Sequence, residues 1–139
     1  MDALPRERLP HTREGVTRKL CLAGHEAYVT VNAYPDGRVG EMFMTLVGES
    51  GTEAQMYANA ALQAASIALQ YGAPLRSFVE HWRGTHADVC GFTGDTAMPS
   101  ATGMLDLLAQ WLQREWPEQA SGASLPPPER EDNDGQSTD

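Results

Sequence analysis

"HEAYVTVNAYPDGRVGEMFMTL", running from His25 to Leu46, decides the fold. Tyr28 to Tyr34 alternates aromatic and β-branched residues with smaller polar ones, the pattern of a strand with one face buried. Pro35-Asp36-Gly37 then supplies turn chemistry: Pro fixes one φ, Asp bonds locally, and Gly accepts a positive φ. A second alternating run follows, so the segment reads as a β-hairpin. Loop length decides which side chains enter the core. If three residues form the loop and Tyr34 pairs with Arg38, Val29 lies opposite Phe43 and Val31 opposite Glu41. A four-residue loop that includes Arg38 sets Val29 against Met44 and Val31 against Met42. The second register is favoured, because it gathers Val29, Val31, Met42, Met44 and Leu46 on one face. The other face then shows Tyr28, Thr30, Asn32, Tyr34, Glu41, Phe43 and Thr45, too aromatic for ordinary solvent surface.

Before the hairpin, Val16 to Leu22 alternates with Arg18 interrupting its apolar side, which predicts a strand close to a sheet edge. After it, Thr52 opens a helix with Gln55 placed for a capping box. Met56, Ala60, Gln63, Ile67 and Tyr71 follow helical spacing and predict its buried stripe, widened by Tyr57, Ala61, Ala64 and Ala68. Gly72 closes that helix and Pro74 opens the next, over Leu75 to Trp82. Residues 83 to 96 carry three glycines and no regular pattern, which predicts a loop. Pro99 permits a final helix through Trp116, with Met104, Leu107, Leu108, Trp111 and Leu112 as its apolar stripe. The fold class is α+β: a small antiparallel sheet built around the hairpin and packed against about three helices. Residues 1 to 15 read as an irregular arm that orders only against a partner, residues 16 to 116 as a single domain, and residues 117 to 139 as a disordered acidic tail.

The 139 residues leave room for one core. The formal net charge of -9 argues against nucleic-acid backbone binding, which needs many Lys and Arg. That charge is uneven, since residues 118 to 139 hold six acids against Arg130 and so account for -5 of it. No apolar run reaches the roughly 20 residues a membrane span needs, and the first residues lack the apolar stretch of an export signal. A cytoplasmic protein with reduced Cys21 and Cys90 is expected.

Motif chemistry is sparse. Cys21 and His25 mirror His86 and Cys90 in spacing, and the four together have the ligand types of a tetrahedral zinc site if the loop brings the halves together. Two unrelated Cys/His clusters explain the same residues, and no metal is assigned. His25 has the pKa range of a general base, but in an extended segment it points away from Glu26, and a role in positioning the strand entrance is favoured. Asp88 and Asp95 share the loop with His86 without a catalytic spacing. Gly91-Phe92-Thr93-Gly94-Asp95 invites a phosphate reading, yet it lacks the lysine and spacing of a P-loop, and Phe92 reads instead as an anchor to the core.

Taken in order, "GHEAYVTVNAYPDGRVGEMFM" at 24 to 44, "ALQAASIALQYGAPLRSFVEHW" at 61 to 82 and "GFTGD" at 91 to 95 resemble the TSCPD domain found near the C-terminus of adenosylcobalamin-dependent, class II ribonucleotide reductases. His25, Glu26 and Tyr28 match the family's Gly-His-Glu-Gly-Tyr entrance, Leu69 to Pro74 its helix exit, and Gly91 to Gly94 its loop. Ala27 replaces a glycine and Asp95 an asparagine. Thr85 to Cys90 departs from an expected Arg-Phe-Glu-Pro-Ser-like run, so the His86 and Cys90 pair is particular to this chain.

The resemblance implies a link to deoxyribonucleotide synthesis without a reductase active site, since that chemistry needs a large barrel, a radical-bearing cysteine, a reducible cysteine pair and a corrin site. It points to a free-standing, noncatalytic accessory domain with no cofactor of its own and a class II reductase subunit as partner. Tyr28, Tyr34, Phe43 and Phe92 are the candidate contact residues. A small-ligand or metal module using His25, His86, Cys90 and Asp95 is one alternative, and His25, Glu26, His86 and Asp95 are the candidate ligand or positioning residues. A homo-oligomer that buries the aromatic face against its own copy is another.

Overall fold

A computed structural model describes residues 5–121. Strands β1 (Glu14–Leu22), β2 (His25–Ala33) and β3 (Val39–Leu46) form an antiparallel sheet in that order. Helices α1 (Glu53–Gln70) and α2 (Leu75–Trp82) follow. The two-residue strands β4 (Gly91–Phe92) and β5 (Ser100–Ala101) then pair, and α3 (Met104–Glu115) and α4 (Pro117–Ser121) complete the chain. This is the expected α+β architecture, with two adjustments. The loop of residues 83 to 96 contains β4, and the last long helix starts at Met104 because residues 100 and 101 belong to β5.

The hairpin combines both loop readings. Val29 lies opposite Met44 and Val31 opposite Met42, the favoured register. Yet the Tyr34 N–H donates to the Arg38 carbonyl at 2.8 Å, the closure of a three-residue loop. The difference is absorbed by a bulge: Ala33 faces Val39 and Asn32 faces Glu41, leaving Gly40 as the extra residue. Glycine is needed there, since a Cβ would stand 2.8 Å from the Tyr34 ring and 3.0 Å from Leu9. Past the bulge Tyr34 is buried, and its hydroxyl donates to the Glu7 carbonyl. Tyr34 is therefore absent from the open face on which strand alternation placed it.

Tyr34 and Gln70 hold the N-terminal arm. Residues 5 to 13 have no regular structure, and they pack on their own chain. The Glu7 N–H donates to the Gln70 carbonyl at 2.9 Å and the Arg6 guanidinium to the Gln70 side-chain oxygen at 2.7 Å. Arg38 forks onto both carboxylate oxygens of Glu7 at 3.0 Å while stacking over Tyr34. At the other end, α4 extends the folded domain past residue 116: Ala120 is buried and Gln119 bonds to the hairpin. The remainder of the acidic tail lies outside the described residues.

Helix α1 turns a different face to the core from the one its periodicity predicted. Thr52 caps it by accepting from the Gln55 N–H at 3.2 Å. The buried residues are Leu62, Ala65, Ser66, Leu69 and Gln70, whereas Met56, Tyr57 and Tyr71 are exposed. The reason is the sheet edge. Among the described residues strand β3 has no strand partner on its outer side, so every second residue directs an N–H and a C=O toward α1. Ser66 accepts from the Met42 N–H at 2.8 Å and donates chiefly to the Leu62 carbonyl one turn back at 2.7 Å, with the Met42 carbonyl a longer contact at 3.3 Å. Gln70 donates to the Gly40 carbonyl at 2.9 Å. Gln55 accepts from the Leu46 N–H at 2.7 Å and donates to the Met44 carbonyl at 2.9 Å. Gln55 thus completes only half a capping box, its amide being committed to β3. Leaving these groups unpaired would cost about 1 to 3 kcal/mol each, so the polar face wins the buried position.

The core lies between the sheet's inner face and the helices. Val29, Val31, Met42 and Met44 meet Leu62 and Ala65 of α1, and Leu107, Leu108, Trp111 and Leu112 of α3, as that helix's stripe predicted. Phe78 and Trp82 of α2 pack against it, and Trp116 meets Trp111 edge-on at 5.4 Å.

Candidate functional site

Among the described residues, no helix covers the outer face of the sheet. Cross-strand pairing arranges it in three rows: Lys19, Tyr28 and Thr45; Thr17, Thr30 and Phe43; Gly15, Asn32 and Glu41. Tyr28 is 44% exposed and Phe43 54%. The rows are fixed by polar pairs. The hydroxyls of Thr17 and Thr30 bond at 2.9 Å, and Glu41 accepts from both Arg13 and Asn32 at 2.8 Å. Lys19 pairs with Glu26 at 3.3 Å. Two aromatic rings therefore stand on a rigid polar lattice, a surface that costs little entropy to bury.

At one end of β1 stands the β4/β5 loop. The Ala23 N–H donates to the Phe92 carbonyl at 2.8 Å. Asp95 accepts from the Ala97 N–H at 2.7 Å, from the Met98 N–H, and from the Arg18 guanidinium at 2.7 Å. The Ala97 amide, with help from Met98 and Arg18, holds the Asp95 carboxyl below its ordinary value against the effect of burial. All of its contacts are internal, so Asp95 shapes the loop. Met98 is the buried anchor, whereas Phe92 is 82% exposed and does not lock the loop to the core.

A residue with no motif around it organises the rest of this region. Asp106, in the first turn of α3, is buried. It accepts from the backbone N–H of Gly84 at 2.8 Å and of Thr102 at 3.0 Å, from Arg83 at 3.0 Å and from Gln110 at 3.1 Å. Burial pushes its carboxyl up, but those four donors outweigh it and hold the pKa below the ordinary value. Thr102 adds a bond from its hydroxyl to the Thr85 carbonyl, and Gly103 leaves space for Ala87, whose methyl lies 3.3 Å from where a Cβ on Gly103 would stand. The signal for Asp106 is an acid inside a stripe of leucines, visible in sequence only once its donors are known.

His25 is exposed at the start of β2 opposite Leu22, and His86 is exposed in the loop. Among the described residues no three His, Cys, Asp or Glu side chains converge as metal ligands, so Cys21, His25, His86 and Cys90 are not assembled into a site. Cys21 and Cys90 are both free thiols. No helix among the described residues is long and apolar enough to cross a membrane.

The TSCPD domain model matches residues 3–115, spanning the hairpin, the Gln70 junction and the β4/β5 loop. The chain belongs to the TSCPD domain family. Over 107 residues it is 42% identical to the vitamin B12-dependent ribonucleotide reductase of Rhodopirellula baltica, covering 77% of this chain and 10% of that protein. It is 38% identical over 108 residues to the enzyme of the same name from Agrobacterium fabrum, covering 8% of that protein, and 35% identical over 107 residues to that of Streptantibioticus cattleyicolor, covering 18%. This TSCPD chain thus spans less than a fifth of the curated relatives it matches. No solved structure matches it. The family's helix exit has a physical role here: Leu69 fills the core, Gln70 ties β3 and the arm together, and Gly72 takes the positive φ that ends α1.

Proposed function

We propose that this TSCPD domain is a noncatalytic interaction domain that works with a vitamin B12-dependent ribonucleotide reductase and docks through the open face of its sheet. Exposed Tyr28 and Phe43 on the lattice of Thr17, Thr30, Asn32 and Glu41 carry this reading. The kinship with reductases gives the class of partner. Phe92, exposed on the β4/β5 loop, extends the contact surface. His25, Glu26, His86 and Asp95 take positioning roles around it: Glu26 holds Lys19, and Asp95 shapes the loop beneath Phe92.

Purified domain mixed with its cognate reductase is expected to coelute with it or change its turnover. Phe43→Asp is expected to weaken that association by about tenfold or more, as loss of a buried aromatic anchor does, with the thermal midpoint unchanged. Absence of coelution and of any change in turnover removes the proposal.

A further inference from the structure

From Ala54 in helix α1 through Leu75 no side chain is charged. The inner face of α1 is committed to β3, as described above. Its outer face repeats Tyr57, Ala60, Ala64, Ile67 and Tyr71 at alternating steps of three and four, the spacing of a coiled-coil seam. Tyr57, Ala60, Ala64 and Tyr71 are exposed and Ile67 is half-buried. A largely exposed apolar heptad seam that carries no charge of its own is the pattern of a helix that meets another helix.

We infer that α1 is the interface of a symmetric dimer, in which the seams of two copies pack antiparallel. This is independent of the reductase reading, which uses the opposite side of the sheet. Self-association is favoured because the seam complements its own reverse. A two-fold axis level with Leu62 sets Ala60 opposite Ala64 of the second copy and Tyr57 opposite Ile67, each contact occurring twice, as an isologous interface requires. Small residues fall at the crossing and large ones toward the ends, so the helix axes can approach to about 8 Å. The charges that flank the seam are also antisymmetric. Glu49 and Glu53 precede it and Arg76 follows it, so antiparallel packing brings acid to base and opposes the helix dipoles, whereas parallel packing would join acid to acid. Tyr71 of one copy then falls level with Glu53 of the other, within reach of a hydroxyl-to-carboxylate bond.

Light-scattering mass of the full chain across a concentration series tests this. The expected mass is twice the 15.1 kDa chain at high concentration, and Ala64→Arg, which places a charge on each side of the crossing, is expected to return it to the single-chain value with helical circular dichroism retained. Tyr71→Glu sets like charges against Glu53 and is expected to weaken the dimer, while adding Glu53→Lys restores it, a rescue that a purely structural role would not give. A single-chain mass at every concentration overturns the inference. So does a dimer lost by Phe43→Asp and untouched by Ala64→Arg, which would place the interface on the sheet, or a wild-type monomer whose reductase binding is lost by Ala64→Arg.

Discussion

The seam between α1 and β3 and the knot around Asp106 meet the same need by different chemistry. Both supply partners for buried backbone groups that no ladder satisfies. The seam uses neutral side chains, Gln55, Ser66 and Gln70, each reaching the outer edge of β3. The knot uses one ionised carboxylate that gathers two backbone amides, a guanidinium and an amide side chain. Neutral groups can donate and accept, as Ser66 and Gln55 both do, which suits a strand edge offering N–H and C=O in alternation. A carboxylate only accepts, which suits the Gly84 and Thr102 amides and the Arg83 guanidinium, all of them donors. The seam is therefore indifferent to pH, and the knot is not.

Asp106→Ala is the largest break. It leaves the Gly84 and Thr102 amides and Arg83 without their acceptor, and a loss of about 3 kcal/mol is expected in urea unfolding. Proteolysis is expected to begin between residues 83 and 102. Acid sharpens the contrast. Asp95 and Asp106 both titrate below the ordinary 3.8 when folded. Their contribution is thus complete above the unfolded carboxylate value and is lost as pH falls through the depressed folded values. Stability is expected to decline on that acid limb, and less steeply in Asp106→Asn; an unchanged slope would move the acid sensitivity elsewhere.

Ser66→Ala tests the neutral side. It is expected to cost about 2 kcal/mol by stranding the Met42 N–H, with no change across the acid limb. Gly40→Ala follows, at roughly 1 to 2 kcal/mol, because the new methyl must displace Tyr34 or Leu9. That variant is expected to loosen the N-terminal arm, read as faster cleavage before Glu14. An undisturbed arm in the Gly40→Ala protein would show that the bulge does not need glycine.

The hairpin register, the three main helices and the Thr52 cap were legible in the sequence, because each rests on local turn chemistry or on a pattern with one dominant face. The buried side of α1 was not. Its outer residues are more apolar than its inner ones, so hydrophobic periodicity picked Met56 and Tyr71 where hydrogen bonding to β3 picked Ser66 and Gln70. Tyr34 was misplaced because regular strand alternation stops at Ala33 beside the bulge, and the Glu7 carbonyl that takes its hydroxyl is far away in sequence. Of the candidate site, Tyr28 and Phe43 followed directly from the register. The roles of Asp95 and Asp106 depended on which distant amides came to them, which no spacing encodes.

The Ser66 and Gln55 contacts also set a timescale. Met42 and Leu46 donate their amides outward from the rim of the sheet, where amides ordinarily exchange readily with solvent, yet each is bonded to a side chain of a packed helix. Their exchange can proceed only when α1 lifts away. These two amides therefore report the opening of the helix from the sheet, while the amides on the free side of β1 report only local fraying.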